Sequence, residues 1–398
     1  MLIFQGALML LTVLLGVPVL WFAAQVFYGC RRSDPAQGVT PRNRPTRVAI
    51  LVPAHNESVH LLPTLHALLA DAQANTRVVV VADNCTDDTA AVARAAGAEV
   101  IERDDPGKRG KGYALDFGIQ HLASCPPEVV IVMDADCLPE QGALGWLAEM
   151  AQGRQKPVQA LYVMNNPGRA GLRVKIAQFA WCVKNLVRPR GLHQLGLPCQ
   201  LTGSGMAFPW HTLQAVSLAN GHLVEDMQLG MSLIAMGHGP VFMEHAVVSS
   251  QFPSQETGLQ SQRTRWEHGH LSMMMSEGFP QIWQALRHRN STLFWMALDV
   301  CVPPLALLVL SLLLWTGFVT TVGVLTAQWW PWAMSMGLLC VLGFAVVVAW
   351  MKFGRGMVSA IELLYAPLYA LCKLPVYVGF VVRKQSAWVR SKRDGENS

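Results

Sequence analysis

Two segments of this 398-residue chain carry no charged side chain, Met1–Cys30 and Val300–Met351, and they constrain its fold more than any other feature. A helix needs roughly 20 apolar residues to cross a bilayer. Ile3–Phe27 meets that length once. Val300–Met351 meets it about twice over, with a break expected at Ala327-Gln328-Trp329-Trp330-Pro331-Trp332, where tryptophans suit a turn at headgroup depth. The first segment does not read as a cleaved leader, because no basic residue precedes it and no small-x-small site follows it before Arg31 and Arg32. Positive charge stays on the cytoplasmic side, so these arginines, and later Lys352 and Arg355, assign the intervening chain to the cytoplasm. Pro303-Pro304 marks either a kink or the entry into the second span. Met357–Val382 is apolar but holds Glu362 and Lys373 and precedes Arg383, Lys384, Arg390, Lys392 and Arg393. Each charge at the bilayer centre costs about 2.5–3.5 kcal/mol, so a re-entrant or interface-lying segment is expected here in preference to a further full span, with a cytoplasmic basic tail.

Composition agrees, since 52% of residues are hydrophobic and only 14% charged, against about 25% charged in soluble domains. That excludes a wholly soluble protein and a disordered one. A net charge of +5 is too small to argue for nucleic acid as the main partner. The nine cysteines form no C-x-x-C pair and no zinc spacing, and read as reduced thiols.

From about Arg47 to Gln155 short apolar runs alternate with polar, helix-like segments, the pattern of a parallel sheet with crossover helices. Strands are expected at Val48–Val52, Val78–Ala82, Glu99–Ile101 and Val129–Met133, and helices at His60–Ala70, Asp87–Ala95, Tyr113–Leu122 and Gln141–Met150. The polar clusters Pro53-Ala54-His55-Asn56-Glu57, Asp83-Asn84-Cys85-Thr86-Asp87-Asp88 and Asp134-Ala135-Asp136 then fall at strand carboxyl ends, where open α/β sheets bind ligands.

Several motifs carry chemistry, each with a plainer alternative. Asp134-x-Asp136 offers two carboxylates suited to a hard divalent ion; strand-end aspartates also cap helices. Asp105 to Leu115 sets glycines and cations, including Lys111, before a helix, which suits phosphate or a solvated turn. Glu225-Asp226 opens a helical pattern as a general base or as dipole partners. Gln262-x-x-Arg265-Trp266 can bond sugar, stack on it and neutralise a phosphate, or rest on lipid headgroups. The histidines show no metal-ligand spacing and read as structural or solvent-facing. Leu172–Arg188 and Leu271–Arg289 read as amphipathic helices, lying on a lipid surface or packed in a core.

In order, Val52-Pro53-Ala54-His55-Asn56-Glu57, Ala82-Asp83-Asn84-Cys85-Thr86-Asp87-Asp88-Thr89, Arg109-Gly110-Lys111-Gly112-Tyr113-Ala114-Leu115, Asp134-Ala135-Asp136, Thr202-Gly203-Ser204-Gly205, Glu225-Asp226 and Gln262-x-x-Arg265-Trp266 resemble the family 2 glycosyltransferases. The likeness is to the membrane-bound branch with cellulose, chitin and hyaluronan synthases and ceramide glucosyltransferase. It implies an α/β GT-A fold and an inverting single displacement from a nucleoside-diphosphate sugar, with UDP expected. By position, Asp83 would recognise the nucleotide with Asn56 and Glu57 nearby. Lys111 would approach the diphosphate, and Asp134 and Asp136 would hold the donor and its Mg²⁺ or Mn²⁺. Asp226 would be the base with Glu225 beside it, and Gly203, Ser204, Gln262, Arg265 and Trp266 would serve the diphosphate and acceptor. Ala82-Asp83-Asn84-Cys85 departs from the commonest form, which has two aspartates followed by Gly-Ser, so the nucleotide role rests on one carboxylate. The ending Trp388-Val389-Arg390-Ser391-Lys392-Arg393 resembles the W-x-R-T-x-R tail of bacterial members.

The expected organisation is an N-terminal span (1–30), a cytoplasmic GT-A domain with interfacial helices (45–285), a C-terminal membrane region (292–382) and a basic tail (383–398). The expected setting is a bacterial inner membrane. The expected activity is sugar transfer to a lipid-linked or polysaccharide acceptor, with possible partner subunits for glycan export. The alternatives are a processive polysaccharide synthase and a non-catalytic nucleotide-binding scaffold.

Overall fold

The computed structural model describes residues 2–31, 46–166, 168, 171–221, 224–253 and 256–382; the basic tail expected at 383–398 lies outside them. The chain opens with helix α1 (Leu2–Gly29), followed by β1 (Val48–Ala54), α2 (Leu62–Asp71), β2 (Thr76–Asp83), α3 (Thr89–Ala95) and β3 (Glu99–Arg103). Next come α4 (Lys111–Leu122), β4 (Val129–Val132), β5 (Leu138–Pro139), α5 (Ala143–Arg154), β6 (Val158–Asn165), α6 (Leu172–Cys182) and α7 (Arg188–Gln194). After β7 (Met206–Pro209) and α8 (Trp210–Gln214) run α9 (Glu225–Ala235), β8 (Val241–Gln251), α10 (Glu256–Met273), α11 (Phe279–His288) and α12 (Ser291–Val300). The chain closes with α13 (Leu305–Thr326), α14 (Trp330–Ala349), α15 (Ala360–Leu364), α16 (Ala366–Cys372) and α17 (Leu374–Val382).

These elements form two compact units. Among the described residues, one gathers 46–166 and 198–269, and the other 2–31, 171–197 and 270–382. The expected domain 45–285 is thus interrupted, because 168–197 and 270–285 cluster with the helices of the second unit.

The first unit holds an eight-stranded sheet in the order β3-β2-β1-β4-β7-β6-β8-β5. The four strands expected from sequence pair in parallel. The sheet is nevertheless mixed, since β7 runs antiparallel to β4 and β6, and β5 antiparallel to β8. Nearly every residue of β1 is buried, as expected of a central strand covered on both faces. Gly118 lets α4 settle on it, for a Cβ there would meet Leu51 Cδ1 at 2.5 Å.

The second unit holds the three described helices long and apolar enough to cross a membrane, Ile3–Gly29, Leu305–Thr326 and Trp330–Gly354. Pro304 stands at the N-cap of α13, so the proline pair marks entry and not a kink. The stretch 357–382 is split into α15, α16 and α17, all short. α1 and α7 cross at glycines, because a Cβ on Gly29 would lie 2.0 Å from the Val187 carbonyl oxygen and one on Gly191 2.0 Å from that of Gln25. Beside the crossing, Arg188 donates to Gln25 Oε1 and to Asp299 Oδ1, both at 2.7 Å, and the Gln25 amide donates to Asp299. The apolar face of 172–188 is spent inside this unit, with Ile176, Phe179, Val183 and Val187 buried. On 271–289, by contrast, Met275, Phe279, Trp283 and Leu286 are exposed.

Candidate active site

The site is assembled at the carboxyl end of β4 and the entry to the antiparallel β7. β4 ends at Val132, and the next turn presents Asp134, Asp136 and Cys137, whose potential ligand atoms lie within 4.8 Å of one another. Burial, reinforced by Asp136 and Asp134, raises the Cys137 thiol well above its usual range. The two carboxylates therefore offer the hard oxygen ligands of the group, and a Mg²⁺ or Mn²⁺ ion fits them.

Facing this turn is the 202–205 loop, held from below by Gln159. Its buried amide accepts from the Thr202 N–H at 2.9 Å and donates to the Ser204 carbonyl at 2.9 Å. The Ser204 hydroxyl is fully buried and accepts from the Asp134 N–H at 3.1 Å. Ser204 therefore joins the two loops. Gly203, at φ +93°, is the point of convergence. A Cβ there would lie 3.4 Å from Asp226 Oδ2, 3.7 Å from Asp134 Oδ2 and 3.7 Å from Lys111 Nζ.

Lys111 is the first residue of α4, two residues earlier than the helix expected at Tyr113. Its ammonium donates to Asp134 Oδ1 and, at 2.6 Å, to the Gly203 carbonyl, and lies 3.9 Å from Glu225 Oε1. Burial alone would lower the Lys111 pKa, but Asp134 and Glu225 outweigh it and hold the ammonium charged. For Asp134 burial dominates and the pKa rises in spite of Lys111. Burial likewise pushes Glu225 up to about 7, with Lys111 opposing and Asp226 adding to the rise.

Glu225 and Asp226 open α9, and Asp226 Oδ1 accepts from the Met227 N–H at 2.9 Å. The preceding Val224 packs on α10, where a Cβ on Gly269 would meet Val224 Cγ1 at 2.6 Å. At 100° per residue, Gln262, Arg265 and Trp266 share the helix face of Gly269. That face is the one α10 turns toward the segment leading into the acidic pair. Gln262 Oε1 is buried there without a hydrogen-bond partner among the described residues.

The ends of β1 and β2 form a separate cluster. Asp83 is buried and paired with Arg103 at 2.5 Å, and Arg103 reaches Asp105 at 3.1 Å. The Asn56 amide bonds the Thr86 backbone, and the Glu57 N–H donates to Thr89 Oγ1 at 2.8 Å. Asn56 and Asn84 adopt φ +53° and +52°, which asparagine tolerates better than most residues. His55 Nδ1 lies 2.7 Å from the Asp83 carbonyl. Arg103, Gln159 and Cys137 were missed from sequence. For Arg103 a signal existed, because in parallel register the last residue of β3 stands beside the last residue of β2.

A mixed sheet with carboxylates gathered at its strand ends is the α/β GT-A fold of glycosyltransferases. The family model for glycosyltransferase-like family 2 matches residues 45–269, and the chain belongs to that family. An uncharacterized glycosyltransferase of Mycobacterium tuberculosis is 37% identical over 122 residues, 29% of this chain and 51% of the relative. The probable glycosyltransferase YdaM of Bacillus subtilis is 25% identical over 253 residues, 58% of this chain and 56% of YdaM. This chain thus spans about half the length of the curated relatives it matches. The mannosyltransferase PcManGT of Pyrobaculum calidifontis, solved with GDP-Man and Mn²⁺, shares the fold at TM-score 0.53 and 17% identity, over 95% of this chain and 98% of that one.

Proposed function

We propose that this chain is an inverting, membrane-bound glycosyltransferase that moves a sugar from a nucleoside diphosphate, with UDP expected, onto a lipid-linked or polysaccharide acceptor. The observation that carries this reading is the convergence of Lys111, Asp134 and Asp226 on Gly203, which puts a cation, a candidate metal ligand and a candidate base around one small space. Asp83 with Asn56 and Glu57 serves the nucleotide, and Arg103 fixes the Asp83 carboxylate. The divalent ion, held by Asp134 and Asp136, would supply charge neutralisation to the leaving diphosphate. Lys111 donates hydrogen bonds to the same leaving group. Asp226 accepts the proton of the acceptor hydroxyl as its oxygen bonds to the sugar carbon and the diphosphate departs. The face with Gln262, Arg265 and Trp266 receives the acceptor side. The three apolar helices and the exposed stripe of 275–286 support a membrane setting, and a bacterial inner membrane follows from the resemblance.

The test is release of nucleoside diphosphate by the detergent-extracted protein, with Mg²⁺ or Mn²⁺ and a panel of nucleotide sugars and acceptors. Asp226→Asn is expected to lower transfer by at least about 100-fold while donor binding persists; unchanged turnover would refute the base assignment. A high-mass product ladder would replace single transfer by processive synthesis. Nucleotide binding without transfer across the panel would favour a scaffold.

A further inference from the structure

Asp134 has two claimants. It belongs to the Asp134, Asp136 and Cys137 group that can hold a divalent ion, and it is also the acceptor for the Lys111 ammonium. The Lys111 side chain is only 15% exposed, and its ammonium bonds the Gly203 carbonyl at 2.6 Å and lies 3.9 Å from Glu225. The seat therefore already contains one positive charge among carboxylates. An ion arriving alone would meet a cation bonded to its own ligand.

The backbone of Lys111 has little freedom to retreat. Gly112, the next residue, is pressed onto the 218–220 segment, since a Cβ there would lie 2.6 Å from the Leu218 carbonyl oxygen and 2.5 Å from that of Asn220. Any release of Asp134 must come from rotation of the flexible lysine stem. The N-terminus of α4, where Lys111 stands, also attracts anions. A diphosphate is the partner that can draw the ammonium away while bringing charge for the ion to neutralise.

We propose that Lys111 is the resident counter-ion of the acidic pocket: it holds Asp134 in the donor-free protein and passes to the donor's diphosphate as the divalent ion takes Asp134. Ion and donor then enter together, and the pocket does not load metal on its own. This rests on the proposed function.

The test is Mn²⁺ titration of the full-length detergent-extracted protein, followed by electron paramagnetic resonance of free Mn²⁺, with and without UDP or GDP. Lys111→Met is expected to tighten nucleotide-free Mn²⁺ binding on the order of tenfold. Lys108→Met, which removes an exposed charge from the same loop, should change it by less than about threefold. Lys111→Gln, which keeps a donor but no charge, guards against misfolding of the methionine variant and should also tighten binding. The wild type should bind Mn²⁺ tightly only once a nucleoside diphosphate is present. Equal affinity in wild type and both Lys111 variants, or equal tightening by Lys108→Met, overturns the counter-ion role. Bound nucleotide with no Mn²⁺ binding by any variant overturns instead the metal assignment beneath it.

Discussion

Gly203 is the residue on which Lys111, Asp134 and Asp226 converge. Its φ of +93° disfavours any side chain, and a Cβ would stand in van der Waals contact with the Asp226 carboxylate at 3.4 Å. Gly203→Ala should therefore cost about 1–2 kcal/mol in backbone strain and place a methyl between Lys111 and Asp226. The expected result is a fall in kcat/KM of at least about tenfold in protein that still melts cooperatively; full activity would show that the loop yields freely. The acidic members of the site were legible in sequence because each sits in a short motif at a strand or helix end, where local chemistry announces it. The bond that Ser204 makes was not legible, for the opposite reason. Its motif gives the residue type, but which way the hydroxyl turns is decided by Asp134, 70 positions away.

At the scale of elements, the helices of the membrane-type unit are locked by polar contacts that no apolar pattern reveals. Asp299 is 4% exposed and held by Arg188 and Gln25. Removing the cation strands a buried charge, so Arg188→Met should cost about 3–5 kcal/mol, and Arg188→Met with Asp299→Leu should recover most of it; unfolding midpoints in detergent decide the matter. His270, on α10, donates from Nε2 to the Val300 carbonyl at 3.0 Å. Burial first and Lys184 second lower its pKa to about 4. An unfolded histidine takes up its proton near 6.5, so between pH 6.5 and 4 the unfolded chain binds more protons. The stabilisation is complete above that window and fades as pH falls through it, by roughly 3 kcal/mol. His270→Asn should flatten the slope of melting midpoint between pH 7 and 4.5, and an unaltered slope would contradict the assignment. The strands of the parallel half were readable as apolar runs ending in polar clusters. β5 to β8 were not, since β5 has only two residues and the order β4-β7-β6-β8-β5 is set by partners distant in sequence.

For the whole molecule, the division into a sheet unit and a helical unit was legible in outline from charge-free segments flanking an alternating middle. The return of 168–197 to the helical unit was not, because amphipathic spacing tells that a face will be covered and not by what. That return also imposes a timetable. The partners of Gln25 lie 163 and 274 residues downstream, and ribosomes add roughly 5–20 residues per second. During synthesis the Gln25 side chain therefore waits roughly 10–50 s for its bonds. Residues 46–166 of the sheet unit emerge within that interval, so the strands of the parallel half are all synthesised before the bonds of Gln25 can form.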